Sequence, residues 1–225
     1  MNDKQLVAVH AASLVKNDML VGLGTGSTAN FFIDELARRQ QEEGLKITTV
    51  ASSAVSAQRA QALKLAIVAL EHINEIDVYV DGADEITPDL TVLKGRGSDL
   101  VKEKLLAKAA KKFIVVADKS KMVERIGQNF PIPIEVIPFA WQLALHNLEK
   151  LGAIGTLRPN AAKDGFWVTS HGSYVLDIQF DPSLDAATLN ARINNIPGVV
   201  EHGIFYQLAS TVLVADNGNL STIQK

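Results

Sequence analysis

Short apolar segments alternate with amphipathic segments along the first half of the chain. Their spacing predicts strands over 19–23, 47–51, 76–80 and 113–117, and helices over 5–15, 27–39, 54–65 and 100–110. Strands that alternate with helices in this way form a parallel sheet with helices on both faces. The first half is therefore predicted to be an α/β domain of that kind.

The second half of the chain has a different order of elements. The pattern predicts, in sequence, an edge strand over 134–137, a helix over 141–151, strands over 154–158, 166–169 and 174–180, a helix over 184–193 and a strand over 199–205. The edge position is expected because prolines surround the strand, and proline cannot donate to a sheet. With one middle segment short or irregular, this order is the ferredoxin-like split βαβ pattern.

The change in element order places a domain boundary near residues 127–130. A last apolar segment, 211–215, is expected to return as a strand to the first sheet. We therefore predict one domain formed by residues 1–128 plus 206–225. A second, smaller domain is predicted to cover residues 129–205.

The composition narrows the classes of protein to be considered. Of the 225 residues, 47% are hydrophobic, which is enough for a core, and the formal net charge of −3 argues against a nucleic-acid binder. The absence of cysteine excludes disulfides, thiolate metal sites and cysteine nucleophiles. The N-terminus lacks the features of a signal peptide, and no apolar run approaches the roughly 18 residues of a membrane span. The expected location is the cytoplasm, with no membrane partner.

A glycine-rich segment, residues 22–28, follows the first predicted strand and precedes a helix. Glycines allow a tight turn and a close approach to a ligand, and a helix N-terminus favours an anion such as phosphate. The alternative is a plain turn in which Ser27 caps the helix. The letters also fit a dinucleotide fingerprint, but Ser52 and Ser53 stand where its acidic residue is expected, and no P-loop lysine follows.

An acidic segment, Asp81-Gly82-Ala83-Asp84-Glu85, follows the strand predicted over 76–80. Three carboxylates in five residues repel one another, so the fold must give them partners or leave them hydrated. At the carboxyl end of a strand, they suit metal ligation, acid–base chemistry or the binding of hydroxyl groups. The alternative is a solvated acidic turn.

Two further segments carry candidate cations. Asp118-Lys119-Ser120-Lys121 follows a predicted strand, and a lysine there could reach a phosphate. Leu93-Lys94-Gly95-Arg96-Gly97-Ser98 precedes a helix, and Lys94 could neutralise a developing oxyanion. For the segment 118–121, a polar turn with surface lysines is the alternative. Taken alone, Glu103 is expected to be a surface glutamate. The five histidines are scattered without ligand spacing, so no transition-metal site is expected.

Together these segments resemble those of type A ribose-5-phosphate isomerases. The resemblance runs along essentially the whole chain and is carried by Gly24-Thr25-Gly26-Ser27-Thr28-Ala29, Tyr79-Val80-Asp81-Gly82-Ala83-Asp84-Glu85, Lys94-Gly95-x-Gly97 with Glu103-Lys104, and Ala117-Asp118-x-Ser120-Lys121. Four motifs in this order are specific, although each one alone is modest.

The resemblance implies a fold, a reaction and a set of residues. The fold is a Rossmann-like parallel-sheet domain with a smaller ferredoxin-like α+β domain. The reaction interconverts D-ribose 5-phosphate and D-ribulose 5-phosphate in the pentose phosphate pathway, without a metal or organic cofactor, in a homodimer or homotetramer. Glu103 is the implied proton acceptor, with Asp81, Asp84 and Lys94 as further catalytic residues. The implied substrate contacts are Thr25, Gly26, Ser27, Thr28, Asp81, Gly82, Ala83, Asp84, Lys94, Gly95, Arg96, Gly97 and Lys121.

One motif departs from the commonest family pattern. Arg96 stands where the family often has glycine, and Ser98, Asp99 and Lys102 also differ. The added bulk and charge put the conformation of this loop in question, but they leave Lys94 and Glu103 in place. Two other functions stay open from the residues: an amino-sugar-phosphate deaminase or CoA transferase on a related fold, and a non-catalytic sugar-phosphate-binding domain.

Overall fold

The computed structural model describes residues 2–97 and 99–225 of the chain. In chain order, the strands are β1 Leu20–Leu23, β2 Thr48–Ala51, β3 Ala66–Ile67, β4 Ile76–Asp81, β5 Glu85–Ile86, β6 Val92–Leu93, β7 Ala110–Asp118, β8 Ile132–Val136, β9 Ile154–Leu157, β10 Tyr174–Gln179, β11 Val199–His202, β12 Ile204–Phe205, β13 Thr211–Asp216 and β14 Asn219–Gln224. The helices are α1 Asp3–Ser13, α2 Ser27–Glu42, α3 Ala54–Ala62, α4 Leu100–Ala109, α5 Trp141–Glu149 and α6 Ala186–Asn194, with short 3-10 helices at Leu70–His72, Lys119–Lys121 and Pro138–Ala140.

The chain divides into two compact units. The first comprises Met1–Ala83, Lys102–Lys121 and Gln207–Lys225, and the second comprises Asp84–Val101 and Met122–Tyr206. These units differ from the predicted domains mainly at residues 84–101 and 122–128, which belong to the second unit. The cause is local pairing, because β6 pairs with β5 and β12, and Ile86 forms a bridge with Met122. The predicted domain boundaries, 1–128 plus 206–225 and 129–205, stay a prediction.

The first unit contains a seven-stranded sheet in the order β14-β13-β7-β4-β1-β2-β3. All neighbouring pairs are parallel except β13 and β14. The parallel strands follow the Rossmann order, in which strand order reverses between β1 and β4. Ligands of such sheets bind beyond the carboxyl ends of the strands at this reversal. The residues that follow β1 and β4 are therefore placed for binding.

The core of the first unit follows from the apolar periodicity of its elements. α1 buries Val7 and Ala11, and α2 buries Phe32 and Leu36, each pair four residues apart on one helix face. These side chains pack with strand residues Val21, Leu23, Val78, Val80, Ile114 and Val116. Because the strands are buried on both faces, they are apolar runs rather than alternating segments.

The second unit has the ferredoxin-like arrangement. Its elements follow the order β8-α5-β9-β10-α6-β11, and its sheet has the antiparallel order β11-β8-β10-β9. A separate three-stranded sheet has the order β12-β6-β5. Residues 166–169, predicted as a strand, form only isolated bridges, which is the irregular middle segment that the pattern required. The predicted fold class is confirmed.

The prediction that the strand near residues 134–137 is an edge strand is wrong. β8 lies inside its sheet, between β11 and β10. Pro133 is tolerated there because its carbonyl still accepts the backbone N–H of Gly203 at 2.8 Å. No helix among the described residues is both long and apolar enough to cross a membrane.

Candidate active site

In the first unit, the turn after β1 contacts the end of β4. A Cβ at Gly24 would stand 2.3 Å from Asp81 Cγ, so only glycine permits this approach. Asp81 is fully buried. Its Oδ1 accepts the backbone N–H groups of Thr25 at 3.0 Å and Gly82 at 2.7 Å, and the Tyr79 hydroxyl donates to its Oδ2. The carboxylate is thus held in one orientation.

The hydroxyl of Thr25 faces the protein interior. It hydrogen-bonds to three serine hydroxyls, at 2.9 Å, 2.8 Å and 3.2 Å, from Ser52, Ser53 and Ser56. Its backbone N–H already donates to Asp81. These contacts fix the shape of the glycine-rich turn, and they explain why serines stand after β2 where a dinucleotide-binding protein would carry an acidic residue.

The first turn of α2 is open to an anion. Gly26 precedes the helix with φ 106°, a conformation that favours glycine, and Ser27 and Thr28 begin the helix. The Lys4 ammonium donates to Ser27 Oγ at 3.1 Å. Lys4 was missed by the sequence reasoning, because it lies 23 residues away and nothing in its neighbours marks it. It adds positive charge to a helix N-terminus that already favours phosphate.

Lys121 lies at the carboxyl end of β7, in a 3-10 helix. Its charge acts on Asp118: burial raises the pKa of Asp118, but hydrogen bonds from Ser120 and the charges of Lys121 and Lys4 bring it below its ordinary value. Lys121 and Lys4 therefore influence the same carboxylate. The first unit thus places two cations where the sequence predicted one.

Glu103 lies in the first turn of α4 and is only 5% exposed. The expectation of a surface glutamate is therefore wrong. Burial, followed by the charges of Asp81 and Glu103, raises the pKa of Tyr79 well above its ordinary value. The Glu103 carboxylate is thus close enough to Tyr79 to act on it electrostatically.

In the second unit, two residues of the acidic segment have separate environments. Glu85 is fully buried, and its carboxylate accepts the backbone N–H groups of Gly127, Asn129 and Phe130 at 2.6, 2.5 and 3.1 Å. Asp84 is partly exposed and accepts the N–H of Arg96 at 3.4 Å. Glu85 is thereby used for structure, whereas Asp84 is the one of these two carboxylates that can reach a ligand.

Lys94 follows β6 and is only 4% exposed. Its Nζ lies 5.9 Å from the ring centroid of Phe205, within the range of a cation–π contact. The Arg96 guanidinium stacks 3.9 Å above the ring centroid of Phe130. The unusual bulk of Arg96 is thus placed against an aromatic ring, and Gly95 keeps the glycine conformation of the turn with φ 103°.

Arg158, the residue directly after β9, supports this loop. Its guanidinium donates to the carbonyls of Gly95 at 3.3 Å and Arg96 at 3.4 Å, and it is itself held by Asp177 at 2.8 and 2.6 Å. The sequence reasoning missed Arg158, because an arginine at the end of a strand carries no signal of its partner. The loop carrying Lys94 is thus anchored by a charged pair.

Comparison with known proteins agrees with these features. The sequence profile of ribose 5-phosphate isomerase A, also described as phosphoriboisomerase A, matches residues 48–219. The chain is 43% identical over 225 residues to ribose-5-phosphate isomerase A of Methanothermobacter thermautotrophicus, covering 100% of this chain and 98% of the relative. The chain belongs to the ribose 5-phosphate isomerase A family. The predicted resemblance is confirmed.

Solved structures of the family share the fold along the whole chain. The ribose 5-phosphate isomerase A of Methanocaldococcus jannaschii superposes with a TM-score of 0.93 at 38% identity, covering 99% of this chain and 98% of that one. A D-ribose-5-phosphate isomerase in complex with phospho-erythronic acid superposes with a TM-score of 0.95 at 36% identity, covering 100% of both chains.

The family motifs fall in both units. The first unit carries Thr25, Gly26, Ser27, Thr28, Asp81, Gly82, Ala83, Glu103 and Lys121; the second carries Asp84, Lys94, Gly95, Arg96 and Gly97. Ser98, the end of the glycine-rich motif after Lys94, lies outside the described residues. Within the part of the chain that is described, no group of three or more His, Asp or Glu side chains is placed to hold a metal ion. The roles of the individual residues stay predictions.

Proposed function

We propose that this chain interconverts D-ribose 5-phosphate and D-ribulose 5-phosphate, a reaction of the pentose phosphate pathway, and that it does so in the cytoplasm. The observation that carries the proposal is the burial of Glu103, 5% exposed, at the position of the family motif. Glu103 lies on α4, and the loop that carries Lys94 precedes this helix in the chain. A buried glutamate in such a setting is a candidate for acid–base chemistry. The relative in complex with phospho-erythronic acid supports a phosphorylated sugar as ligand.

In the proposed reaction Glu103 moves one proton. The carboxylate takes the proton from C2 of the open-chain aldose, which gives an enediolate, and returns it to C1 of the ketose. A second proton passes from the hydroxyl at C2 to the oxygen at C1, so atoms and charge balance. A positioned carboxylate of this kind contributes about 10²–10⁴-fold to the rate.

The other proposed site residues bind the substrate or stabilise the enediolate. The Lys94 ammonium is proposed to neutralise the enediolate oxygen, and Asp81 and Asp84 to accept hydrogen bonds from sugar hydroxyls. The turn from Gly26 to Thr28 and Lys121 are proposed to bind the phosphate. Such a remote anchor supplies binding energy that orients the reacting carbons.

The test is an isomerase assay on the wild type and on Glu103→Gln, which keeps the size of the side chain. The variant is expected to fold and to lose turnover by about 10²–10⁴-fold. Glu149→Gln, an exposed glutamate on α5, is the matched control and should retain full activity. Turnover near the wild-type value in Glu103→Gln would remove Glu103 as the base. A wild type that binds ribose 5-phosphate without converting it would instead favour a non-catalytic sugar-phosphate-binding domain.

The chain is further proposed to act as a homodimer or homotetramer. The second unit exposes large apolar side chains: Phe139 is 89% exposed and Leu143 is 68% exposed. A neighbouring group of aromatic rings is formed by Trp141, Phe166 and Tyr174, with centroids 6.3 and 5.9 Å apart. Exposed apolar surface of this kind marks protein contacts, and closed homo-oligomers are the commonest assemblies that bury it.

A further inference from the structure

Glu135 is a buried carboxylate in the second unit to which the proposed reaction assigns no role. It lies on β8 between Ile134 and Val136, which point into the apolar core, so Glu135 faces the opposite side of the sheet. Its side chain is 1% exposed. Neither carboxylate oxygen has a hydrogen bond of ordinary length from any described residue. Burial of such a group is costly, so its presence calls for an explanation.

A chain of polar groups leads from Glu135 to the start of α4. His171 Nε2 lies 3.7 Å from Glu135 Oε2. His171 Nδ1 lies 3.1 Å from Ser170 Oγ, and the Ser170 hydroxyl donates to Asp99 Oδ1 at 3.2 Å. Asp99 directly precedes Leu100, the first residue of α4. The polar chain therefore joins the sheet of the second unit to the beginning of that helix.

The directions of these bonds fix where the protons lie. The single hydroxyl proton of Ser170 is used toward Asp99, so His171 Nδ1 must donate to Ser170 Oγ. His171 Nε2 then faces Glu135 across 3.7 Å, and the pair can carry one proton, either on the carboxyl group or on the imidazole. In both forms the pair carries one proton, and its loss leaves an ionised carboxylate beside a neutral imidazole.

The surroundings place this proton in the neutral range. Burial raises the pKa of Glu135 to about 7, the nearby polar groups of the Thr169 side chain and the Val101 backbone lower it in part, and the charges of Asp99 and Glu201 raise it. Glu201 faces Glu135 from β11, the neighbouring strand, where it is also 4.0 Å from His202. On the other side, the partner on β10 is the apolar Val175.

We propose that Glu135 is a positioning residue for the isomerase reaction, holding the first turn of α4 through the His171–Ser170–Asp99 chain. Val101 and Glu103 are two residues apart on this helix, so a fixed first turn fixes the backbone that carries the proposed base. A carboxylate near a helix N-terminus is stabilising when it is ionised. An ionised Glu135 therefore attracts the amide end of this first turn, near Val101, more strongly than the neutral acid does. This inference rests on the proposed function.

The first measurement follows the Val101 amide resonance with pH. In the wild type it is expected to shift with a midpoint near 7, and in Glu135→Gln this step should disappear. The matched control is Glu201→Gln, which removes a neighbouring carboxylate of the same strand pair. It should keep the step and move its midpoint to lower pH, because a like charge has been removed. A step that persists in Glu135→Gln, or is missing in the wild type, overturns the proposal.

The second measurement is steady-state kinetics with ribose 5-phosphate. Glu135→Gln is expected to lower kcat by roughly 10- to 100-fold, because a displaced catalytic group loses much of its orientation, while KM stays nearly unchanged. In the wild type, kcat should rise through pH 7, and this rise should be lost in Glu135→Gln and kept in Glu201→Gln. An equal loss in both variants, or none in Glu135→Gln, overturns the proposal.

Two milder variants keep the proposal testable if Glu135→Gln fails to fold. Ser170→Ala and His171→Asn alter exposed residues of the turn and should fold. Both are expected to lower kcat without raising KM and to move the midpoint of the Val101 step; wild-type values for both measurements contradict the proposal. Inactivity of the wild type would reject the proposed function itself, whereas the Val101 titration reports on Glu135 without any turnover.

Discussion

The Asp81 carboxylate is fixed by donors from three directions. The backbone amides of Thr25 and Gly82 bind one oxygen, and the Tyr79 hydroxyl binds the other. Tyr79 is fully buried and stacks on Phe113 with ring centroids 5.0 Å apart. Because the pKa of Tyr79 is raised by burial and by the neighbouring charges, its hydroxyl remains a donor at neutral pH. A substrate hydroxyl would thus meet a carboxylate with little freedom to turn.

Removal of the Tyr79 hydroxyl tests whether it holds the Asp81 carboxylate. Tyr79→Phe keeps the stacked ring but withdraws a donor from a buried carboxylate, which is expected to lower the free energy of unfolding by roughly 1–3 kcal/mol and to reduce kcat/KM. Tyr174→Phe, on a half-exposed tyrosine of the second unit, is the control and should change the unfolding free energy by less than about 0.5 kcal/mol. Denaturant unfolding and an isomerase assay measure both quantities. Equal stability of Tyr79→Phe and the wild type would show that the hydroxyl does not hold Asp81.

Individual residues also show which parts of the candidate site could be predicted from the sequence. The acidic segment and Lys94 stand out because charged residues after an apolar strand are unusual, and both Asp81 and Lys94 are buried. Glu103 gave no such signal, because a glutamate on a helix rich in lysine has the pattern of a solvated face. Lys4 and Arg158 could not be predicted, since their partners Ser27 and Gly95 are distant in sequence.

At the scale of elements, the turn after β1 approaches the end of β4 at Gly24. A Cβ at position 24 would overlap the Asp81 side chain and its backbone, with Asp81 Cα at 2.6 Å. Gly24→Ala is therefore expected to push the two strand ends apart and to cost roughly 1–3 kcal/mol of unfolding free energy. Gly97→Ala is the matched control, because its Cβ would meet no described atom within 4 Å, and thermal unfolding compares the two. Equal stabilities would mean that the strands separate without cost.

The elements that were predicted correctly are those with enough residues to show a period. Most strands and helices of the parallel sheet were found to within a few residues, whereas the two-residue strands β3, β5 and β6 were missed. β12 was predicted only as the end of one strand over 199–205, and the six-residue β14 was not predicted. No period can be read from two residues. The position of β8 was wrong for a different reason: the proline rule considers the missing N–H, but Pro133 still offers its carbonyl to Gly203. Strand order is thus set by tertiary pairing, which local pattern does not contain.

At the scale of the whole molecule, the exposed apolar side chains of the second unit bear on assembly. Phe139, in the 3-10 helix Pro138–Ala140, and Leu143, in the first turn of α5, are four residues apart, and both are exposed. Large apolar side chains that project together into water are unfavourable unless another surface covers them. In an isologous interface each copy would cover the same residues of the other.

Phe139→Glu is therefore expected to dissociate the assembly, because it places a charge in a contact that excludes water. Sedimentation velocity on the wild type should give the mass of a dimer or tetramer, and the variant should give a smaller mass at the same concentration. Val55→Glu, on an exposed valine of the first unit, is the control and should sediment as the wild type does. Dissociation by Val55→Glu alone would move the interface to the first unit, and a monomeric wild type would contradict the assembly altogether.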